Sequence, residues 1–164
     1  MSKRLNLREF QQRLSNRIQA KDRASDHVFT LGVQIAGQCW LVDMVDIGEV
    51  MPVPSLTAVP LSKPWFRGVA NVRGTLYCVA DMAAYQHKGV AATDAASRLL
   101  LVAERYAFNA ALLVDRVLGL RDARAWQQSN VEGQIEYHDE QGTSWRKLDV
   151  TGLLEQADFL QVGI

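Results

Sequence analysis

The sequence predicts an all-β protein made of two packed β-barrels, and two features carry that expectation. Many short apolar runs alternate with polar residues at a period of two and are separated by turn residues, as in a barrel rather than a parallel sheet with crossover helices. Two of the runs also end alike. TLYCVADMAAY (75–85) and SWRKLDVTGLL (144–154) each pass from a strand to an aspartate, Asp81 or Asp149, and then to apolar residues one and four positions on. Tyr77 and Trp145 both stand four residues before that aspartate, so the chain reads as two similar halves.

In chain order, residues 1–24 come first as a basic segment, with seven Lys or Arg against two Asp or Glu in a chain of zero formal net charge. Within it Phe10, Leu14 and Ile18 recur at intervals of four. That predicts a basic amphipathic helix with a narrow apolar contact stripe, set to dock on this domain or on a partner. Residues 25–164 form the β domain. Phe29, Leu31, Val33 and Ile35 alternate with Thr30, Gly32 and Gln34, a half-buried strand that turns at Gly37-Gln38 into CWLVDMVDIGEVM (39–51). All four prolines, Pro52, Pro54, Pro60 and Pro64, fall in the next stretch, which reads as an extended connection because proline cannot donate to a sheet ladder.

WFRGVANVRG (65–74) reads as a helical turn and loop, followed by a strand at 75–81. Residues 86–97 form a flexible loop. RLLLVAE (98–104) and YAFNAALLVDRVLGL (106–120) make a second hairpin, with Phe108, Ala110, Leu112 and Val114 on one face. TSWRKLDV (143–150) is a further strand, and VTGLLEQADFLQ (150–161) closes the chain as a short helix.

Composition and motifs exclude more chemistry than they suggest. With 48% hydrophobic and 22% charged residues the chain is globular, and its zero net charge offers no field to attract nucleic acid. MSKRLNLREF lacks the apolar core of a secretory signal, and no apolar run approaches the ~20 residues of a membrane helix, so a cytoplasmic protein is expected. Cys39 and Cys78 lie in apolar strand runs, which predicts buried, unbonded thiols. His27, His87 and His138 are too scattered to suggest a metal site, and no phosphate-binding or nucleophile-elbow motif implies a cofactor. Asp81 and Asp115 follow strands, where aspartates most often close turns and caps. An enzyme using Cys78 as nucleophile or Asp81 as acid or base is the competing reading. It predicts a concave pocket with perturbed titratable groups, whereas an adaptor predicts apolar or mixed strips at barrel ends.

From Val28 to Leu120 the sequence resembles the CheW family of chemotaxis coupling proteins. The resemblance rests on LVDMVDIGEV (41–50), the proline-containing connection, WFRGVANVRGTLYCVADM (65–82) and ALLVDRVLGL (111–120), with Gly68–Gly74 the most specific run. The basic leading helix and the wording of 65–82 are similar to the PilI-type branch, which serves twitching motility. The resemblance implies two intertwined five-stranded SH3-like barrels. It also implies a non-catalytic adaptor that couples the cytoplasmic tip of a methyl-accepting chemoreceptor to the regulatory domain of a CheA-like histidine kinase, at inner-membrane arrays. A flagellar coupling protein, or a kinase-regulatory-type module of the same fold, is the nearest alternative. Carried over by position, Arg73 and Glu49 are an expected surface ion pair. Together with Ile47, Gly68, Asn71, Val72 and Gly74 they are the expected partner-binding residues.

Overall fold

The computed structural model describes residues 29–164, so the expected leading helix with Phe10, Leu14 and Ile18 lies outside the described residues. Twelve strands run in chain order: β1 Thr30–Ile35, β2 Gln38–Asp43, β3 Ile47–Pro52, β4 Leu56–Thr57, β5 Phe66–Val72, β6 Thr75–Asp81, β7 Arg98–Val102, β8 Ala110–Val114, β9 Arg116–Arg121, β10 Gln127–Val131, β11 Gln134–His138 and β12 Ser144–Leu148. Among the described residues there are also three short α-helices: α1 Met82–Tyr85, α2 Val150–Glu155 and α3 Ala157–Leu160.

The strands form two six-stranded sheets, ordered β10-β11-β12-β2-β1-β9 and β4-β5-β6-β8-β7-β3. The two orders are alike. Each sheet joins its two hairpin systems by one parallel pair, β12 with β2 in the first and β6 with β8 in the second. The chain crosses between sheets twice, through the 3-10 turn Met44–Asp46 and at Asp115. The second sheet is therefore inserted between β2 and β9 of the first, and the two subdomains are intertwined. Each sheet carries one strand more than the five expected of a small barrel.

The repeated strand–aspartate–apolar pattern falls at equivalent positions of the two sheets. Asp81 ends β6 and accepts the Ala84 N–H to cap α1, and Asp149 follows β12 and accepts the Gly152 N–H to cap α2. The crossings are also matched. Asp46 lies against the β7–β8 connection, accepting from Arg105 and from the Tyr106 hydroxyl at 2.5 Å. Asp115 lies against the β1–β2 turn, accepting the Gly37 N–H at 3.2 Å.

Two cores explain the continuous apolar runs. Leu99 and Leu101 of β7 and Ala111 and Leu113 of β8 fill the second barrel with Ala70, Val72 and Val79. The alternate residues Leu100, Val102, Ala110, Leu112 and Val114 meet Leu31, Val33 and Ile35 of β1 between the barrels. Strands buried on both faces lose their polar alternation, which is why RLLLV and AALLV read as unbroken.

Several expectations are corrected. Residues 65–74 are not a helical turn: Phe66–Val72 is a strand, and only Arg73 and Gly74 form the turn. The run 106–120 is two strands in different sheets, divided at Asp115, and Phe108 precedes them, exposed. The hairpin after β1 turns at Ala36–Gly37, with Gln38 already paired to Ile35. The C-terminal helix is broken at Gln156 into α2 and α3. Phe29 precedes β1 and is exposed.

The cysteines are unbonded, but Cys78 is exposed and Cys39 half-buried. Cys78 lies in an apolar run, but its neighbours Tyr77 and Val79 point into the second barrel and Cys78 takes the opposite face of β6. Burial pushes the Cys39 thiol up, with the Asp139 charge adding to it. Native protein should therefore take up one equivalent of maleimide rapidly at Cys78 and the second much more slowly at Cys39. Equal labelling rates for the parent and a Cys78→Ser variant would contradict this placement.

Candidate functional site

Four of the sequence-marked residues, Glu49, Asn71, Arg73 and Gly74, meet at the tip of the β5–β6 hairpin. Val72 pairs with Thr75, leaving Arg73 and Gly74 as a two-residue turn with φ of 51° and 85°. Both angles are positive, the type I′ geometry that matches strand twist. Asn71 fixes the turn by accepting the Gly74 N–H on Oδ1 at 2.9 Å. The Arg73 side chain reaches across to Glu49 on β3 and grips it with both ends of its fork, Nη1 to Oε1 at 3.1 Å and Nη2 to Oε2. The hydrogen bonds that Arg73 donates to Glu49 hold the Glu49 carboxyl below its usual range and raise the Arg73 guanidinium.

The clamp stands in water. The Arg73 side chain is 71% exposed and that of Glu49 39%. An ion pair so placed contributes little to stability, so its worth lies in presenting a rigid charged turn. Leu76, directly opposite Asn71, is exposed beside it, and Cys78 opposite Val69 continues the same face. The result is a mixed apolar and polar strip at a barrel end.

Not every expected residue is on that surface. Arg73, Asn71 and Gly74 are exposed and Glu49 half-buried, whereas Ile47, Gly68 and Val72 are buried. Ile47 packs between the barrels, Val72 fills the second barrel, and Gly68 lies against β4. None of the three lies on the exposed face of the turn.

Sequence reasoning missed three features of the described residues. Arg67 runs from β5 to Asp81, Nη1 to Oδ2 at 2.9 Å, and also donates to the Ala91 carbonyl and Thr93. Trp65, Tyr85 and Phe159 cluster, with Trp65 and Phe159 stacked at 5.4 Å, pinning the C-terminal helices to the second barrel. The hairpin at Asn130–Gly133 repeats the Asn71–Gly74 design, its Gly133 N–H donating to Asn130 Oδ1 at 3.0 Å. NVRG and NVEG would have disclosed that last feature had they been compared.

Asp81, offered as an acid or base by the enzyme reading, is fully buried and already accepts from Ala84, Ala91 and Arg67. Cys78 sits on the opposite face of β6 from Asp81. One open cleft is lined by Asp122, Trp126, His138 and Asp139. There the Trp145 indole N–H holds the Asp139 carboxyl below its usual range. Among the described residues no group of three or more His, Cys, Asp or Glu converges on a metal position, and no helix is long and apolar enough to cross a membrane.

Two barrels knitted by exchanged strands, with stiff hairpin tips at their ends, define a docking scaffold. The family model for the CheW-like domain matches residues 30–158, and the chain belongs to that family. It is 28% identical over 162 residues to "Protein PilI" of Pseudomonas aeruginosa, a match spanning 93% of this chain and 89% of that protein. Its fold is similar to that of the scaffolding protein TtCheW from Thermoanaerobacter tengcongensis. The TM-score is 0.62 at 19% identity, over 74% of this chain and 84% of the other.

Proposed function

We propose that this scaffold couples the cytoplasmic tip of a chemoreceptor to the regulatory domain of a CheA-like histidine kinase in a twitching-motility pathway. It does so without chemistry of its own, at receptor arrays on the inner membrane. The observation that carries the reading is the likeness to PilI over 93% of this chain and 89% of that protein, nearly the full length of both. Residues 25–164 act as the coupling domain, and 1–24 as an appended helix whose Phe10, Leu14 and Ile18 form a contact stripe. The partner surface centres on Arg73, with Glu49, Asn71 and Gly74 beside it and Ile47, Gly68 and Val72 supporting it.

Arginine is enriched among the few residues that dominate an interface, and this one is held in a fixed pose by Glu49. Arg73→Ala should weaken binding to the isolated kinase regulatory domain or the receptor tip by about tenfold or more. Its melting temperature should stay close to that of the parent, because the lost pair is exposed. Arg73→Glu should weaken binding further, since it also sets a like charge against Glu49. Titrations of both variants against both partners, with thermal melts alongside, test this. Parental affinity in both variants would remove Arg73 from the site, and failure of the parent to bind either partner would remove the coupling function.

A further inference from the structure

Among the described residues four strands end the two sheets, and three of them carry features by which natural edges refuse a partner. β3 holds Glu49, an irregularity at Gly48 and Pro52. β4 is two residues long within the proline-rich connection. β9 carries Arg116 and Arg121 and a register shift opposite Gly32/Val33. β10, with sequence QQSNV, has no charge, no proline and no irregularity, and four of its five residues are exposed.

The hairpin shows which of its backbone groups are open. Val131 and Gln134 flank the two-residue turn Glu132–Gly133, whose φ angles of 53° and 81° are both positive. Residues flanking such a turn exchange both main-chain hydrogen bonds, and bonded pairs then alternate with non-bonded ones. Val131, Ser129 and Gln127 therefore spend their N–H and C=O on β11, and those of Gln128 and Asn130 point away from it. Among the described residues no backbone bond outside the hairpin takes them up.

We propose that β10 pairs antiparallel with β10 of a second copy of this chain, about a two-fold axis through Ser129. That register sets Gln128 of each copy opposite Asn130 of the other, so the outward N–H and C=O groups satisfy one another in four hydrogen bonds. A strand paired with itself brings each side chain near its own kind, and like charges directly opposite are destabilising. QQSNV has no charge to oppose. Gln128 and Asn130 can exchange side-chain amide bonds, and Val131 lies opposite the aliphatic stem of Gln127. The zero formal charge of the whole chain adds no repulsion between copies. The first sheet would then continue from one molecule into the next, leaving the β5–β6 hairpin of the second sheet uninvolved.

So short an edge gives a weak dimer that depends on concentration. Sedimentation of the full chain over a concentration series should show monomer passing to dimer. Gln128→Pro removes an outward N–H while keeping every bond to β11, and Ser129→Lys sets two ammonium groups face to face. Both variants should stay monomeric. Ser129 opposite itself is a non-bonded pair with Cα atoms about 4.5 Å apart, inside the range a disulfide spans. In a Cys78→Ser background, Ser129→Cys should give a disulfide-linked dimer on mild oxidation and Val131→Cys should not. If Gln128→Pro lowers the melting temperature, Ser129→Lys and the cysteine pair carry the test. A parent that is monomeric throughout, a dimer that survives both edge variants, or equal cross-linking from Val131→Cys overturns the proposal. Monomeric parent whose Gln128→Pro variant loses the kinase domain overturns it too, and assigns the edge to that partner.

Discussion

Replacing Asp81 with alanine is expected to cost about 3 kcal/mol of stability, although the residue touches no expected partner surface. Asp81 is fully buried. Its Oδ1 caps α1 through the Ala84 N–H at 3.1 Å, and its Oδ2 takes the Ala91 N–H and Arg67 Nη1, both at 2.9 Å. Loss of the cap alone costs about 1 kcal/mol. Leaving Arg67 without its carboxylate and Ala91 without its acceptor costs more, moderated because the Arg67 side chain is 25% exposed and can turn to water. Asp81→Asn keeps an oxygen for Ala84 but turns its amide NH2 toward both Arg67 and the Ala91 N–H, so it should recover little beyond the cap. The mutation should also act at a distance. Arg67 and Asp81 together hold the 86–97 loop through Ala91 and Thr93, so hydrogen exchange there should rise before the strands open. Urea unfolding with the double cycle Asp81→Ala and Arg67→Ala measures the coupling, and additivity within about 0.3 kcal/mol would show that the pair is not a unit.

That network also shows where the sequence stops being legible. A strand ending in an aspartate before apolar residues is a local signal, and both instances, at Asp81 and Asp149, are helix caps at matching points of two similar sheets. The partner of Asp81 is fourteen residues away on β5, and nothing local announces it. β5 itself was missed because two of its inward positions are Gly68 and Ala70, so the alternation of its burial is faint in hydropathy. The crossing at Asp115 was hidden for the opposite reason. β8 is apolar on both faces, and an apolar run does not reveal that the chain leaves one sheet for the other. Cys78 was misplaced by averaging over neighbours where a period of two requires them to face the other way. At the site, the Arg73–Glu49 pair came from resemblance to a family and not from spacing. The structure adds what the resemblance could not, the buried placement of Ile47, Gly68 and Val72.

Gly68 gives the sharpest division between building the hairpin and being part of its surface. Its φ is +117°, and a Cβ built on it would stand 2.1 Å from the Thr57 carbonyl oxygen and 2.7 Å from its carbon. Those atoms belong to β4, whose Thr57 and Leu56 pair with Val69 and Ala70, so relief requires peeling β4 from β5. Gly68→Ala should therefore cost about 3 kcal/mol or more, combining backbone strain with overpacking against main chain. Gly74→Ala is the control. Its φ of +85° carries similar strain, but nothing lies within 4 Å, so it should cost only about 1 kcal/mol. Urea unfolding of the two variants separates the clash from the dihedral, and hydrogen exchange at Val69 and Ala70 reports whether β4 has detached. Equal costs for the two substitutions would mean that β4 yields freely and that the close approach holds nothing. Binding decides the remaining point. At a temperature where Gly68→Ala is still folded, its affinity for the kinase regulatory domain should fall no further than its folded fraction does. A larger loss would make Gly68 a partner contact in its own right rather than the support beneath Arg73.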